Sequence, residues 1–79
     1  MADAFTIRPH MEVLGSDGRY VGTVDHLQGA DIKLARKDSE TGGRHRLIPL
    51  SWVDWVEEDG LKVHLNRSRD DAEANWRDA

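Results

Sequence analysis

Four histidines, His10, His26, His45 and His64, are the side chains best suited to metal binding or acid–base work. Imidazole changes charge near neutral pH and ligates metals in its neutral form. No two of them stand at a ligand spacing, and the pair that adjacent strands would most simply bring together is His45 with His64. The plainer reading is of solvated or hydrogen-bonding histidines, and no metal or cofactor is expected. Nucleophilic catalysis needs a hydroxyl beside a base, yet Ser16, Ser39, Ser51 and Ser68 fall in turn or cap contexts, without a Gly-x-Ser-x-Gly elbow. The run Glu57-Glu58-Asp59 lacks the spacing of a calcium loop and abuts a turn, so it reads as a solvated hairpin tip. Gly42-Gly43 lacks the lysine and hydroxyl residue of a phosphate-cradling loop. The absence of cysteine removes thiolate sites and disulfides together. No catalytic residue is expected, and the chain reads as a binding protein rather than an enzyme.

Two groups of residues suit binding. Lys33, Arg36, Lys37, Arg44 and Arg46 are five basic residues against the two acidic residues Asp38 and Glu40 in the same stretch. If the strands on either side of this stretch pair antiparallel, those charges share a face suited to phosphates or to an acidic protein. The alternative is a charged outer surface that keeps a small protein soluble. No aromatic stripe interleaves with these charges, which argues against single-stranded RNA. Trp52 and Trp55 form the second group. Three residues apart, both can hardly enter so small a core, and an exposed tryptophan marks an interface.

The elements that must position these residues are short strands. Asp17-Gly18 and Asp59-Gly60 stand between strand-like runs and predict two hairpins, since both residue types tolerate positive φ. Met11 and Val13 alternate with Glu12, and Tyr20 to Val24 is rich in β-branched and aromatic residues. Ile32 and Leu34 alternate with polar neighbours in a third strand. The stretch from Asp38 to Gly43 has no apolar residue and reads as a loop, after which Arg44 to Ile48 returns. Pro49 predicts that this strand ends or bends near Leu50. Ser51 to Val56 reads as one short turn and then a strand, and Leu61, Val63 and Leu65 alternate in another. Ser68 caps a terminal helix with Asp70 and Asp71 in its first turn, and Ala72 and Trp76, four apart, dock it.

A chain of 79 residues makes one domain, 1–79, with the barrel over about 8–65 and the helix over about 68–78. No apolar run approaches the roughly 20 residues of a membrane span, and Met1 to Arg8 lacks the basic start and apolar block of a secretory signal, so none is expected. A cytoplasmic location is therefore expected. The net charge of −4 opposes nonspecific coating of DNA.

In order and spacing, Asp17-Gly18, Val21-Gly22-Thr23-Val24-Asp25, Ile32-Lys33-Leu34 and Ile48-Pro49-Leu50 with Trp52-Val53 resemble the PRC-barrel superfamily. The likeness is nearest to an uncharacterised family of small, free-standing bacterial PRC-barrel-like proteins, and it covers roughly Arg8 to Leu65. It implies a barrel like the cytoplasmic domain of the photosynthetic reaction-centre H subunit and the C-terminal domain of a ribosome maturation factor. Those barrels dock to other macromolecules and share no active site. The expected fold is thus mostly β, a PRC-barrel-like β-barrel of five or six strands with a short C-terminal helix. In that frame Gly22 gives close packing or a bend, and Asp25 closes a turn. The expected function is non-catalytic protein interaction or self-association, with Trp52 or Trp55 as anchor. The alternative is RNA or ribosome binding through the basic strand pair.

Overall fold

The computed structural model describes residues 7–35, 45–57 and 61–78. The predicted turn at Asp17-Gly18 joins β1 (Glu12–Leu14) to β2 (Tyr20–Gln28) as an antiparallel pair. Gly18 adopts φ 78°, a conformation disfavoured for side chains other than glycine by about 1–2 kcal/mol. Asp17 Oδ1 braces the turn by accepting the Arg19 backbone N–H at 3.2 Å. The chain then turns at Gly29 into β3 (Asp31–Leu34), where Ile32 and Leu34 are buried as their alternation predicts.

Strand β2 runs for nine residues, well beyond Val24. A register shift between Val24 and His26 leaves Asp25 opposite no partner, so this residue marks a bulge within the strand and closes no turn. A bulge bends its strand and raises the local twist. The first part of β2 therefore pairs with β1 and the second with β3.

β4 (Arg46–Pro49) returns antiparallel to β3, with Ile48 opposite Ile32. Pro49 ends it as predicted, a 3-10 turn over Leu50–Trp52 follows, and β5 (Val53–Val56) begins at once. β5 pairs antiparallel with β6 (Lys62–Leu65). The Asp59-Gly60 turn predicted between them lies outside the described residues. β6 in turn lies parallel to β1, with Val63 beside Val13.

Ser68 caps α1 (Arg69–Asn75), its Oγ accepting the Asp71 N–H at 3.2 Å. The helix is shorter than the expected 68–78. Asn75 Nδ2 folds back to donate to the Asp71 carbonyl at 2.8 Å, and Trp76 is already extended. Arg77–Asp78 then forms β7, antiparallel to β4. Arg77 pairs with Asp31 at 2.7 Å, and Arg46 pairs with Asp78. Ala72 is buried and Trp76 packs half-buried against the core, the docking expected of this pair.

The strand order is β5-β6-β1-β2-β3-β4-β7. This corrects the expected barrel of five or six strands: the described residues form seven strands in an unclosed mixed sheet. β7 occupies the edge of β4 that closure would need, and among the described residues β5 is paired on one side only. The sheet nonetheless curls strongly. β4 and β5 stand near opposite ends of the order, yet only Leu50–Trp52 joins them, a reach of roughly 10 Å. Val13, Val21, Val24, Ile32, Leu34, Ile48, Val63 and Leu65 fill the concave side. No helix among the described residues is long and apolar enough to cross a membrane.

Candidate functional site

The predicted basic group separates in the structure. Arg36, Lys37 and Arg44 lie outside the described residues. Lys33 stands on β3 between His26 and Leu47, its register partners on either side. Arg46 immediately precedes Leu47 on β4, so alternation directs it to the other face from Lys33. Its guanidinium lies 5.4 Å from the Trp76 ring centroid and pairs with Asp78, tying the C-terminal segment to the sheet. Among the described residues, the cation that shares the Lys33 row is Arg77, opposite Leu47.

The tryptophans divide. Trp52 is 8% exposed, part of the core, and its outer side carries the Arg67 guanidinium 4.1 Å from the ring centroid. Trp55 is 48% exposed. A register shift between Val53 and Trp55 explains its position: Val53 opposes Leu65 and Val56 opposes Val63, both pairs facing the core, while Asp54 is the extra residue. Had Asp54 instead been paired one-to-one with His64, Trp55 would oppose Val63 and face inward, because one residue of slip reverses every side chain. It opposes His64 instead, and the two rings stack with centroids 4.0 Å apart and planes 1° from parallel.

Across the strands the same row continues. His64 is in register with Leu14 on β1, and Leu14 with Tyr20 on β2. A second register shift, between Val13 and Leu14, brings Tyr20 to this face beside Thr23, and their hydroxyls are hydrogen-bonded. The convex side of β5, β6, β1 and β2 thus carries the row Trp55, His64, Leu14 and Tyr20. Glu12 and Lys62, of opposite charge, are register partners in the next row. Glu57, two residues after Trp55, accepts the His64 Nε2–H at 2.6 Å, so a carboxylate lies at the rim of the stacked rings. Leu61, 60% exposed, stands just before β6.

The histidines do not gather. His45 Nδ1 donates to the Leu34 carbonyl at 2.9 Å, and His26 bonds Asp25 at 2.7 Å. In the strand order β1, β2 and β3 stand between β6, which carries His64, and β4, which follows His45. Among the described residues no three His, Asp or Glu side chains are grouped to hold a metal. Ser68 is a helix cap, and Ser51 uses its carbonyl to accept Asn66 Nδ2 at 3.3 Å.

Sequence reading singled out Trp55 but missed Leu14, Tyr20, Glu57 and His64 as its companions. Alternation with Val63 and Leu65 already turned His64 outward, which was a usable signal. The parallel β1–β6 register that adds Leu14, and the shift that adds Tyr20, leave no local mark in the chain.

No curated protein matches the sequence. One family model, described as "Uncharacterized protein conserved in bacteria (DUF2171)", matches residues 7–73. That span runs from the residues before β1 through most of α1 and contains the whole convex row from Trp55 to Tyr20. The chain accordingly belongs to this family of uncharacterized proteins conserved in bacteria.

Proposed function

We propose that this protein is a non-catalytic interaction module whose docking face is the convex side of β5, β6 and β1, with Trp55 as its anchor. The observation that carries this reading is the half-exposed indole of Trp55 held flat against His64. An aromatic ring already fixed by stacking loses little freedom on binding, which is why such residues dominate interface energetics. The partner is another protein or a second copy of this chain, and the setting is the bacterial cytoplasm. The PRC-barrel resemblance supports the same kind of role, since barrels of that superfamily act by docking.

A second reading, RNA or ribosome binding, draws on Lys33 and Arg77, which flank Leu47 in one outer row. Two cations among the described residues, in a chain of net charge −4, give it weak support, because nucleic-acid affinity scales with the phosphates neutralised. The test compares wild type with Trp55→Ala by sedimentation over a range of concentrations and by capture from bacterial extract, with and without nuclease. Loss of a nuclease-resistant partner, or of a concentration-dependent mass, is the expected result. Identical behaviour of the two proteins overturns the reading, and nuclease-sensitive capture that Trp55→Ala leaves intact promotes RNA.

A further inference from the structure

Trp55 has two ring faces, and among the described residues one of them is covered. His64 stacks from β6. Among the described residues β5 has no strand on its other side, so the second face of the indole is turned toward an open sheet edge. The other two tryptophans are treated differently. Trp52 carries Arg67 at 4.1 Å and Trp76 carries Arg46 at 5.4 Å. Among the described residues no cation is stacked on Trp55. Two carboxylates adjoin Trp55: Asp54 precedes it, exposed, and Glu57 holds its carboxylate beside the ring stack, while Lys62, a cation on the same side of β6, stands in the next row beside Glu12.

From this geometry we infer that edge strand β5 receives an extended, arginine-bearing segment of a partner protein, with one guanidinium stacked on the free face of Trp55. The inference rests on the reading of Trp55 as a docking anchor and names what docks there. A strand laid along β5 takes the backbone hydrogen bonds that an edge leaves open. Its cross-strand neighbour at Trp55 then stands over the indole, as His64 does on the opposite side. A guanidinium suits that position on two grounds. It is planar and weakly hydrated, so it stacks on aromatic faces, and its remaining N–H groups reach a neighbouring carboxylate, here Glu57 or Asp54. The acidic rim repels phosphate, so a nucleobase is the poorer occupant of the same ring face. Asp54 at the register shift also discourages β5 from pairing with an identical copy of itself, since charge and irregularity blunt an edge.

The experiment titrates the isotopically labelled full chain with a capped valine–arginine–valine–arginine–valine peptide and with the same peptide carrying glutamine for arginine. The arginine peptide is expected to shift the Trp55 indole N–H and the β5 amides, with affinity falling roughly tenfold for the glutamine peptide and for Trp55→Ala. Glu57→Gln should weaken the arginine peptide alone, by about threefold. The stacked ring is exposed, so Trp55→Ala is expected to fold, and Trp55→Phe, which keeps a ring, should retain part of the affinity. Equal binding of the two peptides at Trp55 overturns the inference and leaves the docking reading standing. If neither peptide moves Trp55, the inference also falls, and the docking reading falls with it only if Trp55→Ala captures the same proteins as wild type. A dimer that Trp55→Ala dissolves puts a second copy on this face and overturns the choice of partner.

Discussion

The imidazole of His64 and the indole of Trp55 lie face to face, 4.0 Å between centroids and 1° from parallel, across the β5–β6 pair. The contact sits on the solvent side of the sheet, where a single exposed ring would ordinarily sample several rotamers. Stacking and the Glu57 hydrogen bond hold it as one rigid surface feature.

A double-mutant cycle on Trp55→Ala and His64→Ala should therefore show coupling of about 0.5–1.5 kcal/mol in urea unfolding. Independent, additive losses would mean that the rings do not act as a unit in solution.

Gly15 offers a sharper stability test. A Cβ there would stand 2.6 Å from the Arg69 backbone nitrogen and 2.7 Å from Asp17 Oδ1, where the start of α1 crosses the first hairpin. Gly15→Ala should cost about 2–3 kcal/mol, because backbone cannot yield as a side-chain tip can. Gly18→Ala meets open space and strains only its φ of 78°, so its cost should be about 1 kcal/mol. Thermal unfolding of the two variants side by side checks the order.

Trp76→Ala should cost about 2 kcal/mol. Full burial of the ring would raise that to about 3–5 kcal/mol, but the side chain is only half-buried against the core. An unchanged melting curve would contradict the docking of the C-terminal segment.

Arg46→Ala removes the cation over Trp76 together with the pair to Asp78. The expected outcome is faster hydrogen exchange confined to β7 and the Trp76 amide, with global stability lowered by less than about 1 kcal/mol. Equal loosening across β1 and β6 would show that this arginine supports more than the terminal strand.

Ser68→Ala should cost about 1 kcal/mol, and Ser68→Asp should restore most of it, since either hydroxyl or carboxylate can accept the Asp71 N–H. Failure of the aspartate to rescue would locate the role of Ser68 elsewhere than in capping.

Much of the local structure was legible in the chain because its signals are short-range. Asp17-Gly18 forms its turn, Pro49 ends its strand, the residues after it make one turn and then a strand, and Ser68 caps its helix. The misreadings came from features with no local code. Asp25 looks like a turn residue, yet it is carried as a bulge because both neighbours of β2 need that strand. The sequence after Ser68 reads as helix over about 68–78, but Asn75 returns to Asp71 and the salt bridges of Arg77 and Asp78 favour an edge strand. The barrel stayed open because β7, two residues long and invisible to periodicity, took the place of a closing strand. In the candidate site, Trp55 was visible by composition and spacing, whereas the row beside it depends on two register shifts and a parallel pairing that only the folded sheet defines.

The parallel pairing of β1 with β6 has a consequence for how the molecule is made. Val13 leaves the ribosome 50 residues before Val63, so this strand pair forms only after the strands between them in the sequence have been translated. Loop closure over that distance is slow compared with hairpin formation, and ring closure of distant segments limits folding speed. The first hairpin should therefore fluctuate with one edge of β1 unsatisfied until β6 arrives, which makes this nascent edge a point dependent on chaperone protection.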